Sequence, residues 1–327
     1  MMAPALGQGG PFHAGEVAVQ QRLGVAERMQ EVGARVVRDH MPEQHRLFFE
    51  QLPWLLVGSV DAQLRPWASV LSGPPGFIRT PDERQLWLQA QPRGGDPLAD
   101  ALQPGAALGF LGIELHTRRR NRVNGVLGRR DAQGLHVTVT QSVGNCPRYI
   151  RSRDWVPGGT AADGLGLQHA MPEPMEGWTA ADRRWIAGAE TCFVATHAPG
   201  VGSDVSHRGG RPGFVQLLDD GSLLMPDFNG NAMFMTWGNL LLHPRAGLLF
   251  PDFEHGGLLS LTGRVELLWG PQDWPALAEV AGAERAWRFH PEAGWRWARS
   301  ELAGQWQGGA ASPHALATGV WPAAAGA

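Results

Sequence analysis

The chain of 327 residues has no lysine: all 28 of its basic residues are arginine. Schiff-base chemistry on a lysine amine is therefore excluded. Any phosphate must be held by guanidinium groups, backbone N–H groups or hydroxyls. Cysteine is almost as scarce, with only Cys146 and Cys192. Two are too few for a disulfide framework or a cysteine-rich metal site, and a reducing, cytoplasmic setting is the expectation. Tyrosine occurs once, at Tyr149. Long apolar runs are missing too, because Gly and Pro break them, so no membrane span is expected. The first residues, MMAPALGQGGPF, lack the basic start and apolar centre of a signal peptide. Charge of either sign is modest, 18% of residues with a net −3. This argues against a general nucleic-acid binder. The 12 histidines show no metal-binding spacing, and His40 and His45 fall on different helix faces. No metal is expected.

What is present is a repeat. Ser69, Gly73, Pro75, Gly76, Phe77, Asp82 and Leu86 reappear 137 residues on as Ser206, Gly210, Pro212, Gly213, Phe214, Asp219 and Leu223. After a one-residue slip, Gly109, Leu111 and Gly125 recur 138 residues on as Gly247, Leu249 and Gly263. A period of that length is a small domain rather than a solenoid unit. Each copy reads as strand, strand, hairpin, short helix and further strands, with 44 Gly and 25 Pro to supply turns. That order predicts a small antiparallel barrel in each copy. The fold class expected from this is mainly β (α+β), with two antiparallel barrels in tandem.

The boundaries follow from composition. An N-terminal helical extension spans 1–50, with apolar residues recurring every three or four positions. The first barrel covers 51–155, a Gly-rich linker 156–178 and the second barrel 179–307. An Ala/Gly-rich tail at 308–327 is expected to be flexible. Thr179 reads as the N-cap of a helix over 178–189. The second copy's helix is expected over 231–242, ending before Pro244.

The copies differ where chemistry is expected. Copy two carries Ser206-His207-Arg208-Gly209-Gly210-Arg211, then Asp227-Phe228-Asn229-Gly230-Asn231. Two guanidinium groups beside a bare backbone suit a phosphate, as do free N–H groups at a helix opening near Asn231. Thr236 and Asn239 would share a face of that helix. Read from the residues alone, the same segments also make a turn and a capped turn. Copy one has Asp96 and Asp100 in the matching place, so its phosphate site reads as lost. It has instead Cys146-Pro147-Arg148-Tyr149-Ile150-Arg151-Ser152-Arg153-Asp154-Trp155, expected as a helix. Such a helix equally serves to cap a barrel. Cys146 reads as a small buried apolar residue rather than a redox thiol. The run Arg118-Arg119-Arg120-Asn121-Arg122 reads as a solvated strand end, with an anion or cofactor contact and a nucleic-acid patch as alternatives.

These motifs resemble those of the pyridoxamine 5′-phosphate oxidase-like FMN-binding split barrels, in a tandem subfamily, over most of residues 12–300. In that family two barrels pair with a flavin between them, so the resemblance implies a mainly β (α+β) fold of two tandem antiparallel split barrels forming an intrachain pseudo-dimer. The resemblance implies an FMN-binding flavoprotein, an oxidoreductase of unnamed substrate, with one flavin between the halves. It implies cofactor contacts from Ser206, His207, Arg208, Gly209, Gly210, Arg211, Asp227, Phe228, Asn229, Gly230, Asn231, Thr236 and Asn239. A cap of Tyr149, Arg153 and Trp155 from copy one would close the ring side. The implied partner is a small-molecule substrate or electron donor, with NAD(P)H a candidate, in a monomer or homodimer. Two alternatives stand beside it. One is a haem- or deazaflavin-binding split barrel, with His197, His207 or His255 as the axial ligand for haem. The other is a non-catalytic flavin-binding or sensing module.

Overall fold

The computed structural model describes residues 10–74, 76–155, 171–300, 302 and 306–322. Expectations for 1–9, 156–170 and the last five residues lie outside these. The fold is mainly β, with two antiparallel sheets. The first contains β1 (Trp54–Val60), β2 (Pro66–Ser72), β3 (Ile78–Arg79), β4 (Gln85–Leu88), β5 (Ala107–Glu114), β6 (Arg119–Asp131) and β7 (Gly134–Asn145), in the order β2-β1-β5-β6-β7-β4-β3. Two short strands follow, β8 (Asp154–Trp155) and β9 (Glu173–Pro174). The second sheet contains β10 (Thr191–Ala198), β11 (Gly202–Gly209), β12 (Gln216–Leu217), β13 (Leu223–Phe228), β14 (Arg245–Pro251), β15 (Leu258–Leu268) and β16 (Ala283–Trp297). Its order, β11-β10-β14-β15-β16-β13-β12, is the same topology, with β9 added against β16. A separate pair joins β8 to β17 (Trp306–Gln307).

The repeat in sequence is a repeat in register. Val57 pairs with Ser69, and Val194 with Ser206. Gly58 pairs with Gly109, and Ala195 with Gly247. The slip therefore falls between β4 and β5, and between β13 and β14, around the short helix of each copy. These helices are α4 (Leu98–Ala101) and α6 (Met235–Leu242). Each sheet closes over its own apolar core, around Phe110 and Leu86 in one and Trp287 and Phe289 in the other. A third core joins the two sheets, with Trp54, Leu56 and Leu111 packed against Phe193, Val205 and Leu249.

Three helices precede the first sheet: α1 (Ala14–Arg22), α2 (Ala26–Val36) and α3 (Glu43–Glu50). Helix α1 crosses α6 of the second half, where a Cβ on Gly15 would lie 2.2 Å from the Gly238 carbonyl oxygen. Helix α5 (Ala180–Gly188) is capped by Thr179 with Asp182 in a capping box. Among the described residues no helix is long and apolar enough to cross a membrane.

Three local expectations change. Residues 308–322 are packed rather than loose. Ser312 caps α7 (Pro313–Leu316), and Trp321 is buried in a cluster with Leu224, Leu277 and Val280 while its Nε1 donates to the Phe214 carbonyl at 2.9 Å. Indole burial outweighs the low apolar content of this stretch. Residues 146–153 form a turn at 148–149 and irregular backbone instead of a helix, with Tyr149 in the left-handed region at φ 65°. Helix α6 starts at Met235 rather than near Asn231. Ala232 and Phe234 are both left-handed, at φ 58° each, and the Asn231 Oδ1 accepts from the Met233 N–H at 3.1 Å. That side-chain turn competes with helix at this point.

Candidate functional site

Strand β11 is an edge of the second sheet, and β6 of the first sheet lies against it. The Arg122 Nη1 donates to the Asp204 Oδ2 at 3.0 Å, and its Nη2 donates to the Ser206 hydroxyl. The Arg120 Nε donates to the Cys146 carbonyl at 2.8 Å. Period-two alternation places Arg120 and Arg122 on one face of β6. The same rule places Asp204, Ser206 and Arg208 on one face of β11. Between these strands, β13, the 229–234 loop and the start of α6 lies a pocket built from both halves of the chain.

The pocket is strongly cationic. Among the described residues its lining has five guanidinium groups, Arg120, Arg122, Arg148, Arg208 and Arg285, against two carboxylates, Asp227 and Glu284. Asp227 holds Arg285 at 2.9 and 3.2 Å, with Arg208 3.8 Å away. Arg285 also bonds Glu284 at 2.8 Å and stacks over Phe234 and Trp237. Among the described residues Arg120 has no carboxylate partner. Burial, with Arg122 and Arg208 nearby, lowers its pKa to about 10. Burial lowers Arg208 as well. His207 is pushed well below the usual imidazole range by burial and then by Arg120 and Arg208, so it is neutral at pH 7.

Several buried nitrogens here have no hydrogen-bond partner in the protein. They are the Nε atoms of Arg122 and Arg208, the indole Nε1 of Trp237 and both ring nitrogens of His207. Buried donors left unmet cost stability unless something satisfies them. The first turn of α6 adds free N–H groups, since Phe234 at its N-cap makes no side-chain capping bond. Met235 and Thr236 of that turn line the pocket, and the Thr236 hydroxyl bonds Ser206 at 3.1 Å. Phe214, Phe228 and Phe234 supply apolar wall. Charge, unmet donors and an uncapped helix start all fit an oxyanion next to an apolar ring system.

Most of the residues singled out in sequence meet here. Ser206, His207, Arg208, Gly209, Asp227, Phe228, Asn229, Gly230, Asn231, Thr236 and Tyr149 all line the pocket. Tyr149 reaches across it: its hydroxyl donates to the Asn229 carbonyl at 2.8 Å, and Arg148 donates to the Asn229 Oδ1 at 2.8 Å. Gly210 packs against Phe214 instead, and the Arg211 side chain is exposed while its N–H donates to the Thr318 hydroxyl at 3.1 Å. Asn239 faces another cleft and donates to Thr196 at 3.0 Å. Arg153 turns away, pairing with Glu190 at 3.4 Å and lying over Phe253. Trp155 pairs through its backbone with Trp306, and its side chain lies outside the described residues.

Of the three axial-ligand candidates, His207 alone lines this pocket. His197 bonds Ser203 at 3.0 Å in the other cleft, and His255 bonds Asp252 at 2.9 Å in an exposed turn. Sequence reading missed Arg285, Trp237 and Glu284 and left Arg120 and Arg122 unassigned. Arg285 enters because β16 pairs with β13 so that Arg285 stands opposite Asp227. That register has no local signature.

No family model and no curated protein matches the chain. Among solved structures, HupZ of Group A Streptococcus is similar at 13% identity over 41% of this chain and 100% of that one, with a TM-score of 0.30. A conserved hypothetical protein from Mycobacterium tuberculosis is similar at 16% identity over 37% of this chain and 84% of that one, with a TM-score of 0.29. An FAD-binding protein from Mesorhizobium loti is similar at 15% identity over 38% of this chain and 98% of that one, with a TM-score of 0.26. Likeness at this level carries no functional argument, so the site stands on its own residues.

Proposed function

We propose that the protein binds FMN in the pocket between its two halves and works as a flavin-dependent oxidoreductase. The observation that carries this reading is the excess of guanidinium groups around unmet buried donors, at an uncapped helix start with aromatic walls. In it, Arg208, Ser206, Thr236 and the first N–H groups of α6 hold the phosphate. Arg122 supports Ser206 from the other half. Tyr149 and Arg148 close the open side against Asn229, taking the place expected for Arg153 and Trp155. Bound FMN would supply hydride and electron transfer, while the chain orients it and sets the charge around it. A small-molecule electron donor such as NAD(P)H completes the reading. Nucleic acid has no part in it, because Arg120 and Arg122 line the pocket rather than a solvated stripe.

The test compares FMN with riboflavin by quenching of flavin fluorescence. Wild type is expected to bind FMN at least tenfold more tightly. Arg208→Ala is expected to weaken FMN by roughly ten- to hundredfold, the worth of a charge-assisted hydrogen bond, and to leave riboflavin unchanged. Equal binding of the two flavins, or FMN affinity unaltered in the variant, sinks the phosphate assignment. Mixing the loaded protein with NADH or NADPH then shows whether either bleaches the flavin.

A haem reading rests on one observation, the neutral His207 with neither ring nitrogen bonded. A Soret band on addition of haemin that disappears in His207→Ala, together with no FMN binding, selects it.

A further inference from the structure

The segment that caps the cationic pocket is itself covered by the end of the chain. Residues 146–153 follow β7 and reach the second half at two places. At the tip, Tyr149 and Arg148 bridge the pocket to Asn229. Both bonds are open to solvent, where such a bond contributes little. Tyr149 also has left-handed backbone, at φ 65°, which strains a residue with a side chain. At the root, Arg151 pairs with Glu190 at 2.6 Å and Arg153 pairs with it at 3.4 Å. The tip is therefore the part of the cap least able to stay shut by itself.

Residues 306–321 hold this cap from outside. The Ser152 N–H donates to the Ala310 carbonyl at 3.0 Å, and the Ala310 N–H donates to the Ser152 hydroxyl at 3.0 Å. Arg118, in the turn before β6, donates to the Ala310 carbonyl at 3.0 Å and to the Ile150 carbonyl at 3.1 Å, which ties the two segments together. A Cβ on Gly309 would run into the Ser152 carbonyl oxygen, so the two backbones are in contact. The Tyr149 ring packs with His314 of α7, at 6.1 Å between centroids, and with Phe228 of the pocket wall, at 5.6 Å. Farther on, the segment is anchored in the second half. The Thr318 hydroxyl accepts the Arg211 N–H, and buried Trp321 donates to the carbonyl of Phe214, which lines the pocket. One end is thus fixed by indole burial, while the end on the cap is held by a few polar bonds near solvent. Contacts of the second kind open first.

We propose that the C-terminal segment is a latch that controls opening of the pocket. With 309–314 seated on the cap, Tyr149 stays bridged to Asn229 across the pocket. When 309–314 lifts, Trp321 keeps the segment attached, the strained tip swings off Asn229, and a ligand exchanges. The identity of that ligand rests on the flavin reading, on which the latch sets how long FMN stays bound.

Tyr149 is the only tyrosine of the chain, so its nitration by tetranitromethane reports cap opening in the full-length protein with or without a ligand. Burial raises the Tyr149 pKa in the closed cap, which slows nitration further because the phenolate is the form that reacts. Gly309→Ala sets a methyl group against the Ser152 carbonyl. Ser152→Ala removes the hydroxyl that bonds Ala310, and this milder change keeps the test open if Gly309→Ala fails to fold. Each is expected to speed both nitration and FMN release about three- to tenfold, the worth of one hydrogen bond, with the thermal midpoint kept by the Trp321 anchor. Leu316→Ala, on the same segment at 61% exposure, is expected to change neither rate. Nitration at the wild-type rate in both variants overturns the latch, as does faster nitration with FMN release unchanged. A wild type that takes up no FMN removes the flavin reading instead, and nitration then decides the latch alone.

Discussion

Gly209 is where the two halves of the cationic pocket touch. A Cβ there would lie 2.3 Å from the Tyr149 carbonyl oxygen, 2.8 Å from the His207 Cε1 and 3.2 Å from the Glu190 carbonyl oxygen. Backbone on two sides leaves no flexible end to give way. Gly209→Ala is therefore expected to push the 145–150 segment off β11 and to destabilise the fold by about 1–3 kcal/mol, the usual cost of overpacking. Denaturant unfolding checks the stability. FMN affinity should fall with it, because Tyr149 no longer reaches Asn229; unchanged values of both count against the contact. At this scale the sequence was legible where chemistry and alternation coincide. Ser206 and Arg208 sit two apart on one strand face, and both line the pocket. Arg211 lies beyond the last residue of β11, Gly209, where strand alternation no longer decides direction. Arg120 and Arg122 carry the same two-residue spacing, but what faces them is set by the other half of the chain.

Elements were legible in kind and less so in extent. The repeated Ser, Gly and Leu positions anticipate two sheets of one topology, and Thr179 with Asp182 anticipates the start of α5. The start of α6 was misplaced because two left-handed residues and an Asn side-chain turn precede it, and nothing in the periodicity marks them. The glycines of the repeat have a reason visible only in the packed elements. A Cβ on Gly109 of β5 would lie 2.7 Å from the Asp204 Cα in β11, and one on Gly247 of β14 would lie 2.5 Å from the Pro66 carbonyl in β2. Trp67, whose Cα is 2.7 Å from that same Cβ, is the repeat partner of Asp204. The sheets thus meet by the same contact made twice, as in a two-fold dimer. Gly109→Ala and Gly247→Ala are each expected to destabilise by about 1–3 kcal/mol, since in each the obstacle is backbone. The thermal midpoint reads this. If both are neutral, the sheets are further apart than the structure has them.

For the whole molecule the symmetric frame predicts two pockets, yet the second has been filled from within. Ser69, the repeat partner of Ser206, donates its hydroxyl to the Asp96 Oδ1 at 2.6 Å, and the Leu98 N–H at the start of α4 donates to the same oxygen at 2.9 Å. A carboxylate of the chain thus occupies, in the first half, the hydroxyl and helix-start donors that the second half leaves open. Leu71 stands where the second half has Arg208, so that strand position carries no guanidinium. Pro172 closes over the loop, its Cδ 2.4 Å from where a Cβ on Gly95 would be. The sequence marks this place by Asp96 as a carboxylate that repels an anion; in the structure that carboxylate also takes the hydroxyl and N–H donors that an anion would use. One FMN per chain is the expected stoichiometry, from flavin absorbance after release against protein concentration. Asp96→Asn should leave the ratio at one, because the Arg208 position is still a leucine here, while lowering stability through the weakened Ser69 bond. A ratio of two in either protein would mean that the first half holds a flavin without an arginine at the place of Arg208.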